Sequence, residues 1–175
     1  MKDIIDKSNE FKKLLSEFII KFSTIEFFIS YLCFEIEKVL NPNSKFEEIA
    51  LKNLSNKKEL IKKFITDNLP SLKIKWNIIS ENISNVNMER KHLVHGIGNP
   101  SIYGMNGYNI ENLQSFIPKR NQSKSFNLKD LEEINLKIDE IILENGLGNE
   151  FYTEFKKELF NWYNLNLAER PKKTV

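Results

Sequence analysis

The stretch Phe22-Ser23-Thr24-Ile25-Glu26-Phe27-Phe28-Ile29-Ser30-Tyr31-Leu32-Cys33-Phe34-Glu35-Ile36 decides how the chain folds. Ile25 and Leu32 lie seven residues apart in it, and the same step runs outward to Phe18 and Phe11 and forward to Val39. Leu15, Phe22, Ile29 and Ile36 interleave with that series. Alternating steps of four and three place all of these side chains on one stripe of an α-helix, because a turn takes about 3.6 residues. The spacing predicts one long helix through residues 11–40, stopped by Asn41-Pro42-Asn43. Phe27, Phe28, Tyr31 and Phe34 fall off the stripe. A helix that is apolar on several sides is central in a bundle or pressed into a subunit interface.

Two shorter helices follow at 46–54 and 57–69, the second ended by Pro70. Leu72, Trp76, Ile79, Ile83, Val86 and Leu93 then repeat the pattern, and the position it demands between Val86 and Leu93 is Arg90. A guanidinium on an apolar seam must be paired in a structural salt bridge or line a polar cleft, since burying it alone is too costly. His95 falls in the last turn before Gly96. There a histidine either simply complements the negative end of the helix dipole, or uses it to hold the imidazole near neutrality for proton transfer. Arg90 and His95 point about 140° apart on a regular helix, so they flank a groove rather than form a pair, above all one completed by a second copy of the helix. His92 and His95 could supply two ligands to a metal. The chain has no third histidine, however, and Cys33 is remote, so no metal or cofactor is expected.

After Pro100 a small β-hairpin is expected within 101–118, turning at Asn106-Gly107, with loop or short strand up to Ser125. Helix resumes at Asn127, with Leu128, Leu131, Ile134, Ile138, Ile141 and Ile142 on one face, and stops at Gly146 to Gly148. A last helix carries Phe151, Phe155, Leu159 and Trp162. These elements make an all-α bundle of four to five main helices, a single domain over 1–170 with a basic tail at 171–175. The chain holds no repeat, glycine-rich phosphate loop, GxSxG elbow or zinc-spaced cysteine set.

The 26 basic and 24 acidic residues leave a net charge of +2, so attraction to nucleic acid or membrane must come from a local patch. Lys57, Lys58, Lys62, Lys63, Lys73, Lys75 and Lys91 are the candidates for phosphate attraction, against the plainer reading of solvated helix faces. The single cysteine excludes a disulfide within the chain and fits a reducing cytoplasm. No apolar run approaches the roughly 20 residues that cross a bilayer, and the first residues lack the apolar core of a signal peptide. A cytoplasmic protein with no membrane partner is expected.

Arg90-Lys91-His92-Leu93-Val94-His95-Gly96, at the end of a bundle helix, resembles the R-x4-6-H motif of HEPN domains. The long first helix, with Ser23-Thr24-Ile25-Glu26 inside its apolar middle, is also similar to that family. The resemblance follows the helical order of residues 10–145, but only the motif is specific. It implies a HEPN-like helical bundle that works as a homodimer. The implied activity is a metal-independent endoribonuclease, a toxin or phage-defence effector paired in some systems with an antitoxin or defence partner. Arg90 and His95 would be catalytic, with Glu26 as the candidate for the glutamate that some members draw from an earlier helix. Lys91 and His92 would contact the RNA substrate. Active members often carry Asn, Asp or His where this chain has Lys91, and members silenced by nucleotide transfer carry Tyr where it has Ile97. The alternatives are a catalytically silent HEPN-like module that binds RNA or protein, and a plain helical interaction domain in which Arg90 and His95 are structural.

Overall fold

Most of the seven-residue stripe of the first segment is buried: Phe11, Phe18, Phe22, Ile25, Ile29, Leu32 and Ile36 are core residues, whereas Leu15 and Val39 are half-buried. In the computed structural model, which describes residues 2–96, 113–117, 122–144 and 146–168, they lie on one 39-residue helix, α1 (Lys2–Leu40). It is followed by α2 (Phe46–Ala50), α3 (Leu54–Asn68), a 3-10 turn at Pro70–Leu72, and α4 (Lys73–Gly96). After the strands β1 (Leu113–Ile117) and β2 (Gln122–Phe126) come α5 (Leu128–Asp139), a π-helical turn at Glu140–Glu144, and α6 (Glu150–Ala168). The fold is an all-α helical bundle with five long helices and one short helix among the described residues.

Side-chain caps move some boundaries from where apolar spacing alone puts them. Asn53 accepts a hydrogen bond from the Asn56 amide at 2.8 Å, so α3 starts at Leu54 rather than at Lys57. Asn127 and Asp130 form a reciprocal capping box, with bonds of 2.9 and 2.8 Å, that starts α5 where the sequence reading expects it. The hairpin expected around Asn106-Gly107 lies outside the described residues. An antiparallel pair forms further on, β1 with β2, in a register that sets Leu113 opposite Phe126 and Ile117 opposite Gln122. The basic tail at 171–175 also lies outside the described residues.

The chain divides into two compact units, and α1 and α4 each contribute a segment to both. The first unit is Met1–Ser23 with Glu81–Ile141. Its core joins Phe11, Phe18 and Phe22 of α1 to Ile83, Val86 and Leu93 of α4, Phe126 of β2, and Leu131 and Ile138 of α5. Two polar contacts tie α5 to α1: Asn135 donates to the Leu14 carbonyl at 3.0 Å, and Lys21 pairs with Asp139 at 2.7 Å.

The second unit is Thr24–Ser80 with Ile142–Val175. Ile25, Ile29, Leu32 and Ile36 of α1, Ile61 and Ile65 of α3, Trp76 of α4, and Phe151 and Phe155 of α6 are its buried apolar residues. Trp76 stacks on Phe151 with ring centroids 6.0 Å apart. One cation is enclosed with them. Lys57 is 5% exposed, and its ammonium donates to Ser30 Oγ at 2.8 Å and to the Ala50 carbonyl, at the end of α2, at 2.7 Å. Burial holds its pKa below the ordinary lysine value, opposed by the neighbouring Cys33 and Glu26. Cys33 donates to the Lys57 carbonyl at 3.3 Å, and burial pushes its thiol up from 9.0 to about 12.

The turn between α5 and α6 rests on two glycines. Gly146 has φ +74°, left-handed backbone that a side chain rarely adopts, and its carbonyl accepts from the Phe151 amide at 2.8 Å. Gly148 lies so close to Phe28 that an added Cβ would stand 3.1 Å from the ring.

Lys57→Ala should lower the unfolding free energy by about 2–4 kcal/mol, because it removes two charge-assisted hydrogen bonds and leaves a void. Lys62→Ala on the exposed side of α3 should stay within about 0.5 kcal/mol. Equal urea midpoints for the two variants would contradict the burial of Lys57.

Cys33 should resist a thiol reagent at pH 8 until urea unfolds the chain, with labelling tracking the loss of helical circular dichroism. Between pH 9.0 and about 12 the unfolded chain has released a thiol proton that the folded chain keeps, so the contribution of Cys33 to stability falls as pH rises through that window. Cys33→Ala should remove that part of the alkaline loss in urea titrations. An unchanged pH slope would contradict it.

Candidate functional site

Arg90 stands on the seam that the α4 pattern assigns it, between the buried Val86 and Leu93, and is itself half-buried. Its guanidinium carbon lies 4.9 Å from the centroid of the Phe22 ring, which is 1% exposed. Phe18 backs that ring at 6.1 Å. The seam thus accommodates a cation by presenting the negative face of an aromatic ring, an attraction worth from about 0.5 kcal/mol in water to about 2 kcal/mol where solvent is excluded. Of the two environments that the sequence allows for Arg90, this contact adds a third element, a π face, that charge counting does not anticipate. Its signal was nonetheless present: Phe22 and Arg90 both occupy core-stripe positions of helices that meet in one unit.

Two carboxylates of the first unit are bound by lysines. Glu89 is bound by Lys124 of β2, with both carboxylate oxygens 2.6 Å from the ammonium. Asp139 is bound by Lys21. Lys124 also lies 5.1 Å from the centroid of the buried Phe126 ring, and the His92 ring is 6.5 Å from the same ring. Glu89 and His92 therefore tie α4 to β2. His92 stands two positions after Arg90, which turns their side chains about 200° apart on a regular helix. The structure brings His92 to Phe126 and Arg90 to Phe22.

Lys91 is half-buried on α4. His95 belongs to the last turn of α4, as expected, and its side chain lies outside the described residues. Glu26 belongs to the second unit, where its carboxylate favours the charged form of the buried Lys57. Of the lysines considered for phosphate attraction, Lys57 is instead a core residue, and Lys58 donates to the Ser80 carbonyl at 2.6 Å. Lys75 pairs with Glu154 and Glu150 of α6.

Among the described residues, no group of three or more His, Cys, Asp and Glu is placed to hold a metal ion, and no helix is long and apolar enough to cross a membrane. Comparison with known proteins finds no match to this chain: no protein-family model, no curated protein and no solved structure.

A double-mutant cycle on Phe22→Leu and Arg90→Met, followed by urea unfolding, should give a coupling of about 0.5–2 kcal/mol between ring and guanidinium. Strict additivity of the two substitutions would show that the arginine draws nothing from the ring.

Proposed function

We propose that this chain is a metal-independent endoribonuclease of HEPN type, working in the cytoplasm as a homodimer and serving as a toxin or phage-defence effector. The observation that carries the reading is the placement of Arg90: a guanidinium fixed on the Phe22 face within a buried seam, five residues before His95 at the end of the same helix. The resemblance of that string to the R-x4-6-H motif supplies the reaction.

RNA cleavage by this route removes the proton of a ribose 2′-hydroxyl, and the 2′-oxygen attacks the adjacent phosphorus. The bond from phosphorus to the 5′-oxygen breaks, and that oxygen takes up a proton. The products are a 2′,3′-cyclic phosphate and a 5′-hydroxyl. His95 is the proton carrier. Arg90 donates to the phosphorane oxygens, and its rigid planar fork suits a charge that builds only in the transition state. One imidazole cannot take and give a proton at once, and a twofold partner supplies the second. Lys91 and His92 flank the pair in sequence as substrate contacts. Glu26 is assigned to the support of Lys57, and the proposal rests on Arg90 and His95.

The second reading, a catalytically silent HEPN-like module that binds RNA or protein, is favoured by one feature, Lys91 in the position where active members often carry Asn, Asp or His.

Wild type should cut single-stranded RNA to cyclic phosphate and 5′-hydroxyl ends with full activity in a chelator. Arg90→Ala and His95→Ala should each lose about a hundredfold or more in rate. His92→Ala and Glu26→Gln should be milder. A folded, dimeric wild type that is inert on diverse RNAs transfers the protein to the silent module, and loss of activity in chelator overturns the metal-free mechanism.

A further inference from the structure

The side of α1 that faces away from the core stripe is not bare. Phe27, Phe28, Tyr31 and Phe34 of α1 meet Phe46 of α2 and Tyr152 of α6 in one connected group of rings, all in the second unit. Tyr31 is its hub, 6.1 Å from Phe27, 6.4 Å from Phe46 and 5.8 Å from Tyr152 by ring centroids. These rings are held but not covered: Phe27 is 53% exposed, and Tyr31, Phe34, Phe46 and Tyr152 are half-buried. Two lysine ammoniums lie over rings of the group. Lys38 lies 5.6 Å from the centroid of Phe34, and Lys156 lies 5.6 Å from that of Tyr152.

We infer that this aromatic face is a stacking platform for the unpaired bases of single-stranded RNA, with Lys38 and Lys156 taking the flanking phosphates. The inference rests on the ribonuclease reading for the identity of the polymer. Successive bases offer π faces joined by negative phosphates, and the platform offers π faces accompanied by ammonium groups, so the two are complementary in both shape of charge and chemistry. Glu35 lies within the patch and pairs with Lys156 at 3.8 Å, a contact that Lys156 exchanges for a phosphate when RNA binds, and Glu37 pairs with Lys52 at 3.3 Å. Glu47 and Glu48 follow Phe46 directly, so the start of α2 repels phosphate. Hydrogen bonding among Tyr31, Tyr152 and Glu35 raises the Tyr31 phenol, and burial raises that of Tyr152, so neither adds negative charge at neutral pH.

The test uses a fluorescent 2′-O-methyl oligouridine, which lacks the nucleophile and cannot be cut, and measures its binding by anisotropy beside a duplex of equal length. Wild type and Phe27→Trp should bind the single strand better than the duplex. Phe27→Ala should bind it on the order of tenfold more weakly, the loss of one stacked base. Lys156→Gln should weaken binding and flatten its salt dependence by about one phosphate contact. Unchanged affinity in Phe27→Ala overturns the platform, as does a wild type that does not bind the single strand. A dimer that dissociates in Phe27→Ala with RNA affinity intact also overturns it and gives the face to a second copy. Cleavage of unmodified RNA by wild type, abolished in His95→Ala, tests the ribonuclease reading separately, so either claim can fail while the other stands.

Discussion

The apolar stripe of α1 supplies buried residues to the core of each compact unit. A helix of 39 residues is not held by intrinsic propensity, and this one is anchored because residues from Phe11 to Ile36 bury at steps of four and three. Each large buried side chain contributes about 1.5–3 kcal/mol, and the stripe extends into both compact units. The seam of α4 follows the same rule over a shorter span.

Two cations stand where that rule calls for an apolar residue, and they are accommodated differently. Arg90 takes the π face of Phe22 and stays half-buried. Lys57 falls on the seam of α3 with Ile61, Phe64 and Ile65 and is fully enclosed. Its ammonium closes the carbonyl end of α2 at Ala50 and reaches Ser30 on α1, so one charged group links three helices. Removing a charge from water costs several kcal/mol, about the scale on which such a site must be matched by hydrogen bonds. The arginine stays half-open to solvent, whereas the enclosed lysine is committed to the fold.

The helices were legible because period and burial largely coincide: apart from Leu15 and Val39 the stripe of α1 is core, the stripe of α4 is core, and Arg90 sits where the pattern places it. What escaped the reading depends on local geometry rather than period. The start of α3 is set by an Asn53 cap outside the apolar repeat. The sequence reading allows short strand up to Ser125 but does not anticipate the pairing of β1 with β2, because Pro118-Lys119-Arg120-Asn121 carries no Asn-Gly or Asp-Gly turn signature and Gln122 to Ser125 are all polar. Lys57 was taken for surface charge because a lysine on a seam looks like a lysine on a face until its depth is known. At the candidate site the sequence located Arg90 but not its aromatic floor. The off-stripe rings of α1 were legible as surplus apolar surface, but their joining to Phe46 and Tyr152 needed three-dimensional proximity.

The turn between α5 and α6 carries a consequence for how this chain can change over evolutionary time. Loops between helices are usually where insertions accumulate at little cost. Here Gly148 is pressed to the Phe28 ring, and Phe28 touches Tyr152, so the loop sets the depth at which the first turn of α6 meets the aromatic group. A lengthened or bulkier loop would shift Tyr152, and Lys156 one turn beyond it, out of line with the rings of α1. A connection that is ordinarily free to drift is therefore bound to vary in step with the rings it touches, and its length should be as constrained as they are.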